Sequence, residues 1–266
     1  VRKRRYALPH SENIKGEVVP LNVKHEGFAT PYAPAGALWS TAEDFSKLLA
    51  ALTAKTPKGL PPREQLEALW KMRAKVSAHA TYGLGWMTRR YKGTKVHNHG
   101  GGTLGFRAYF AYLPEARGAY VILTNGSRGG AMLGLLSKRI EALFFGQKDA
   151  SAKQLAFISG RIKAQLSKLA GNLEEAVAPK RLAQLVGRYD GGELGALRIR
   201  NVKGRAIFDT GPLKMAFLPL KKAPKKESYM LIEPPLTGIT FWVEDKQGKP
   251  ELHFEPHTVH YVAKKK

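Results

Sequence analysis

Three consecutive glycines, Gly100–Gly102, stand in the middle of a stretch that otherwise reads as β-strand. Thr94–His99 leads into them from a turn at Lys92-Gly93, and Arg107–Leu113 resumes the strand pattern shortly afterwards. Glycine inside a strand adds no side-chain packing and loses the most backbone entropy on folding, so such a run weakens the strand. It makes sense where another backbone must come within contact distance. A substrate can then lie along the strand edge, with unhindered N–H groups facing a developing oxyanion. His99 beside the run can donate a hydrogen bond or handle a proton near neutral pH. From the residues alone, a glycine-rich turn with a surface histidine fits as well. A zinc site at His97 and His99, which share a strand face, has no carboxylate near it in sequence. No metal site is therefore assigned, and nothing calls for a cofactor.

The neighbouring segments set the fold class. Residues 1–33 carry Pro9, Pro20 and Pro31 with little periodicity, and read as a long surface loop. Ser40-Thr41-Ala42-Glu43 has the form of a capping box, and Phe45, Leu48, Leu49 and Leu52 fall on one helical face behind it. A second helix is expected over Pro62–Met72. From Tyr82 to Asn125 the signal is that of an antiparallel meander: Tyr82–Trp86, Thr94–His99, Arg107–Leu113 and Ala119–Thr124. Helices follow at Ala131–Phe145, with Gly146 as its cap, and from Ser151 to about Leu169. After Pro179, seven or eight short strands separated by Gly, Pro and Lys turns indicate a small all-β barrel or sandwich. The boundaries read as 1–147, a helical linker at 148–178, and a β domain at 179–266.

The 266 residues suffice for one large or two ordinary domains. No stretch has the roughly 18 apolar residues of a membrane span, and the opening residues, Val1-Arg2-Lys3-Arg4-Arg5, lack the apolar run of a signal peptide. Zero cysteines exclude disulfides, thiolate metal sites and a cysteine nucleophile. The formal net charge is +23, with basic clusters at Arg2–Arg5, at Lys221, Lys222, Lys225 and Lys226, and at Lys264–Lys266. Such a field draws anionic polymers, nucleic acid or anionic lipid. The lysines are spread through both halves with few aromatics between them, which does not mark specific nucleic-acid binding. The Gly102–Gly105 loop, set between strands, lacks the flanking helices of a nucleic-acid-binding glycine loop.

His99-Gly100-Gly101-Gly102-Thr103-Leu104-Gly105-Phe106 resembles the third motif of the serine β-lactamase-like family related to class C β-lactamases, D-aminopeptidases, some esterases and penicillin-binding proteins. In that family the Lys-Thr-Gly triplet is often replaced by His-x-Gly. Three more segments match in the expected order. Pro34-Ala35-Gly36-Ala37-Leu38-Trp39-Ser40-Thr41-Ala42-Glu43-Asp44 resembles Pro-Ala-Gly-Gly-Leu-x-Ser-Thr-Ala-x-Asp. Tyr82-Gly83-Leu84-Gly85-Trp86 resembles a Tyr-Gly-Leu-Gly-Trp strand, and Val121-Ile122-Leu123-Thr124-Asn125 a closing strand. The region after Pro179 resembles the lipocalin-like domain of several members. The resemblance implies an α/β (α+β) β-lactamase-like partial domain with an antiparallel sheet and helices, then a lipocalin-like barrel. It also implies a periplasmic or secreted setting.

The family's Ser-x-x-Lys and Tyr-x-Asn motifs are missing. No serine here has Lys three positions on, and no tyrosine has Asn two positions on. Ser11-Glu12-Asn13 imitates a Ser-x-Asn variant but lies too close to the Pro34–Asp44 segment, and reads as a loop coincidence. The expectation is the C-terminal portion of a serine hydrolase acting on amide or ester bonds through an acyl-enzyme, inactive by itself. The nucleophile-bearing N-terminal part of the same precursor, in cis or in trans, would be its partner, and a small peptide, amide or ester its substrate. The alternative is an inactive relative that binds acidic cell-wall or other anionic polymer. By resemblance, His99 supports the oxyanion side or orients the substrate. Gly100 and Gly101 lie along the substrate, and Gly102 supplies one oxyanion N–H. His97 reads as a strand neighbour, and Tyr82, Trp86 and Phe106 as core. Without the N-terminal part, Tyr109, Phe110, Val121 and Leu123 would be uncovered.

Overall fold

The computed structural model describes residues 6–54, 59–148, 151–223, 225, 227–255 and 258–266. The basic residues Arg2–Arg5 and Lys226 lie outside the described residues. The chain forms two compact units. One is built mainly from Glu26–Ile158, the other from His10–His25 together with Ser159–Lys266. Residues 6–33 are not a plain loop. Strands β1 (His10–Glu12) and β2 (Val18–Pro20) pair as a hairpin of the second unit, and a 3₁₀ segment covers Val23–Tyr32. In the hairpin turn, Asn13 Oδ1 accepts the N–H groups of Lys15 and Glu17, both at 3.0 Å. The Ser11-x-Asn13 look-alike is thus a turn-forming asparagine.

The first unit opens with a short helix, α1 (Ala33–Gly36), and then α2 (Ala42–Thr53). The cap of α2 falls one residue later than expected. Thr41 is the cap: its backbone is extended, and its Oγ1 accepts the Asp44 N–H at 3.0 Å. Helix α3 (Arg63–Trp70) leads into β3 (Ala74–Ser77), β4 (Ala80–Tyr82), β5 (Met87–Tyr91), β6 (Thr94–Gly102), β7 (Arg107–Leu113) and β8 (Gly118–Thr124). These six form one antiparallel sheet in sequence order, and α4 (Gly129–Phe144) follows. Strand β3 is exposed throughout, and its four-residue apolar/polar alternation is too short to mark it in the sequence. Tyr82–Trp86 is not one strand: β4 stops at Tyr82, and Gly83 N–H closes a turn onto the Trp86 carbonyl at 2.8 Å. The turn packs so closely on α3 that a Cβ at Gly83 would sit 2.1 Å from the Leu69 carbonyl oxygen. The same carbonyl accepts the Leu84 N–H at 2.8 Å.

Alternation along β7 and β8 gives the sheet two apolar faces. Val96, Ala111, Leu113 and Tyr120 pack with Ile140 of α4 on one face. Phe110, Ala119 and Val121 pack with Phe45, Leu49 and Leu52 of α2 and Leu66 of α3 on the other. Phe110 and Val121 are therefore covered by the chain's own helices, contrary to expectation, and Tyr109 packs in the α4-side cluster. Leu123 stays 40% exposed. A polar network is buried beneath α4. Fully buried Glu141 accepts hydrogen bonds from Arg89 of β5 and, at 2.6 Å, from the Tyr120 hydroxyl of β8. Burial opposes the Arg89 charge, but the bonds to Glu141 and Tyr109 outweigh it and raise its pKa.

The expected 148–178 linker contains one long helix, α5 (Ser151–Gly171). The second unit continues with α6 (Pro179–Leu185), β9 (Gly187–Asp190), β10 (Ala196–Val202), β11 (Arg205–Asp209), β12 (Lys214–Pro219), β13 (Ser228–Leu231), β14 (Thr240–Lys246), β15 (Lys249–Phe254) and β16 (Tyr261–Lys265). Strands β9–β16 form a closed eight-stranded antiparallel barrel in which β16 returns to pair with β9. Helix α6 and strand β9 are too short for periodicity to announce them. The barrel is filled by its own side chains, as small barrels are. Ile199, Phe208, Phe217, Tyr229, Phe241 and Phe254 form its core, with Phe217 and Phe241 centroids 5.2 Å apart. Leu182 and Leu185 of α6 join that core, and Arg181 ties α6 to Glu227 and, at 2.9 Å, to Asp245. Among the described residues, no helix is long and apolar enough to cross a membrane.

Candidate active site

Strand β6 is not an edge strand, as the sequence suggested. It lies between β5 and β7. The two neighbours cover it unequally, however. Pairing with β5 runs from Tyr91↔Thr94 only to Met87↔Asn98, whereas pairing with β7 continues to Gly102↔Arg107. From His99 onward, among the described residues, β6 pairs on one side only. The hairpin closes with Thr103 N–H on the Phe106 carbonyl at 3.1 Å. Bonded pairs in an antiparallel ladder recur every second residue, so Gly101–Ala108 and His99–Phe110 are the bonded pairs. The N–H groups of Gly100 and Gly102 consequently point away from β7, toward the side that β5 has left.

His99 is half-buried, and Gly100–Gly102 are exposed. The His99 ring reaches back to β4, its Nε2 2.9 Å from the Tyr82 hydroxyl. Tyr82 is therefore a partner of the motif histidine rather than core. The sequence could not reveal this, because the contact depends on the register of the β4–β5–β6 meander. Trp86 does pack in the core, edge-on to Phe110 at 5.0 Å. Phe106 is half-buried, with Trp39 edge-on at 5.3 Å.

The three glycines have different reasons. A Cβ at Gly100 would meet the Tyr109 ring at 3.3 Å, and one at Gly102 would strike the Arg107 side chain at 2.6 Å. Arg107 is held there by Nη1 bonds to the carbonyls of Thr103 and Phe106, at 2.6 and 2.7 Å. A Cβ at Gly101 would meet nothing within 4 Å. Gly101 lies on the same face as His99, two residues on. The fold leaves that space empty.

His97, two residues before His99, has a different role. It is buried, stacked on Trp70 at 4.6 Å, with Nδ1 2.9 Å from Thr88 Oγ1. Burial, helped by nearby Lys95, lowers its pKa from 6.5 to about 4. The ring is thus neutral in the folded protein. As pH falls below 6.5 the unfolded chain takes up a proton that the folded chain refuses, so stability drops until about pH 4. The expected contribution is roughly 3 kcal/mol. It is checked by comparing urea midpoints of the chain and of His97→Gln across that range. A pH slope unchanged by the substitution would disprove the assignment.

The fold and the site define a protein whose motif strand ends at an open edge within an antiparallel sheet flanked by helices. The β-lactamase family model matches residues 1–142, more than half of the 266-residue sequence, and the chain belongs to that family. Its members are in general serine hydrolases. Among solved structures, an octameric penicillin-binding protein homologue from Pyrococcus abyssi is 18% identical with a TM-score of 0.45. The match covers 98% of this chain and 54% of that one, so the chain spans about half of that protein's length. No curated protein matches the sequence closely enough to extend the comparison.

Proposed function

We propose that this chain carries the third-motif strand of a serine hydrolase that cleaves amide or ester bonds through an acyl-enzyme. The observation that carries this is Gly101, a mid-strand glycine on the His99 face whose missing side chain nothing in the fold replaces. A substrate lying along β6 beyond Asn98 takes that space. The Gly102 N–H, facing the open side, is one donor to the oxyanion. His99, held by Tyr82, donates to or orients the substrate. The nucleophile, its lysine and the second oxyanion donor come from a Ser-x-x-Lys-bearing segment outside these 266 residues, in cis or as a bound partner. Small peptides, amides and esters are the substrate class, and the setting is periplasmic or secreted.

The test is covalent labelling. The chain alone is expected to give no adduct with a fluorophosphonate or penicillin probe. With the nucleophile-bearing segment supplied, one adduct is expected, on that segment. Labelling of any serine within the chain, Ser11 and Ser40 included, would show that the machinery lies elsewhere.

A further inference from the structure

At one end of the barrel, Lys246, Gln247, Lys249, Glu251, Lys264 and Lys265 line an open cleft of about 490 Å³. The sheet register explains why so many ammonium groups meet there. Strands β14 and β15 are joined by the two-residue turn Gln247-Gly248, both residues at positive φ, which places Lys246 directly opposite Lys249. Two steps along the ladder Glu244 faces Glu251, and Glu251 faces Lys264 of β16. Period-two alternation puts Lys246, Lys249, Glu251 and Lys264 on one face, opposite to Val243 and Leu252, which are buried in the barrel core. Three lysines thus converge on Glu251, of which only Lys246 is ion-paired to it, at 3.2 Å, and Glu244 lies directly opposite Glu251 on the same face. Lys265, one residue further on, points to the opposite face, where its ammonium is anchored at 2.6 Å on the Gln184 carbonyl.

Like charges directly opposite each other across a ladder destabilise a hairpin. Lys246 and Lys249 are such a pair, at the tightest point of the turn. A bound polyvalent anion would relieve the repulsion. The cleft supplies point-charge ammonium donors and the Gln247 amide, with no guanidinium among its lining residues. That set suits the tetrahedral, multiply charged phosphate group better than a planar carboxylate, which favours the arginine fork. We infer that this cleft is a binding site for a phosphate group, either free or at the end of a longer phosphate-bearing molecule. The site lies wholly within the second unit and does not depend on the hydrolase reading.

The test is calorimetric titration of the full chain at physiological ionic strength with inorganic phosphate and, separately, tripolyphosphate. Saturable one-to-one binding of at least one of them is expected. Comparable affinities for both would identify free phosphate as the ligand; much tighter tripolyphosphate would identify a longer chain's terminal phosphates. Lys246→Gln/Lys249→Gln should weaken binding about tenfold or more, whereas Lys180→Gln/Lys214→Gln, which removes the same charge elsewhere on the unit, should change it by less than about twofold. Glu251→Gln, which removes the one carboxylate lining the cleft, should tighten binding. Equal weakening by the two double variants would reduce the site to diffuse charge attraction, and absence of saturable binding to either probe would overturn it.

Discussion

Gly101→Val is expected to cut acylation of the nucleophile-complemented enzyme by about a hundredfold or more while leaving the thermal unfolding of this chain unchanged. The two readouts separate because the space is empty in the protein and occupied only by substrate. A Cβ at this position meets no atom within 4 Å, and a β-branched residue suits a strand. The valine would instead displace a substrate backbone lying along β6 and move its carbonyl away from the Gly102 N–H. Gly102→Val is a useful contrast. There the new side chain would strike Arg107 and disturb the hairpin as well. If Gly101→Val lowered the melting temperature as much as Gly102→Val does, the glycine would be structural, and the substrate channel would have to lie elsewhere. Unaltered acylation by Gly101→Val would have the same consequence.

Arg89→Met is expected to destabilise the first unit by about 3–5 kcal/mol, lowering its melting temperature by roughly 10 °C. Glu141 is fully buried, and Arg89 is its counter-ion. Removing the arginine leaves a carboxylate with one hydroxyl, that of Tyr120, in an apolar layer. The carboxyl must then either stay charged at high cost or take up a proton. Arg89→Met/Glu141→Leu removes both charges together and is expected to recover most of the loss, since well-packed apolar replacements of a buried ion pair are often neutral. Differential scanning calorimetry of the single and double variants checks both statements. A single variant that melts like the parent would mean that the pair does not hold α4 to the sheet.

Much of this was legible in the sequence because the informative segments are long. Arg107–Leu113 and Ala119–Thr124 are runs of seven and six residues rich in aromatic and β-branched side chains, and β7 and β8 cover essentially those spans. The helix behind Thr41 was legible for the same reason, although Ser40 and Thr41 are chemically equivalent caps and only the backbone chooses between them. Short elements were not legible. The β1–β2 hairpin has three-residue strands, and β9 and α6 have four and seven residues. The motif glycines stood out in the sequence, but not their separate surroundings. Which N–H faces the open side follows from the Thr103–Phe106 bond, a property of register rather than composition. The Tyr82–His99 bond likewise depends on how three strands align. Charge behaved the same way. The total of +23 says only that anions are attracted, whereas the cross-strand facing of Lys246 and Lys249 says where.

The closure of the barrel has a consequence for how this unit is assembled. Seven of its eight ladders join strands that are consecutive in the chain, and each can form by local zippering as soon as its turn is made. The eighth, between β16 and β9, joins the two ends of the barrel and spans nearly its whole sequence. Until that seam shuts, the intermediate is an open sheet with two unpaired edges and a half-formed aromatic interior. The loop-closure entropy of the unit is concentrated in one event. Lys264 and Lys265 of β16 take part in the seam, opposite Asp190 and Tyr189. Strand β16 is therefore the latch of the barrel.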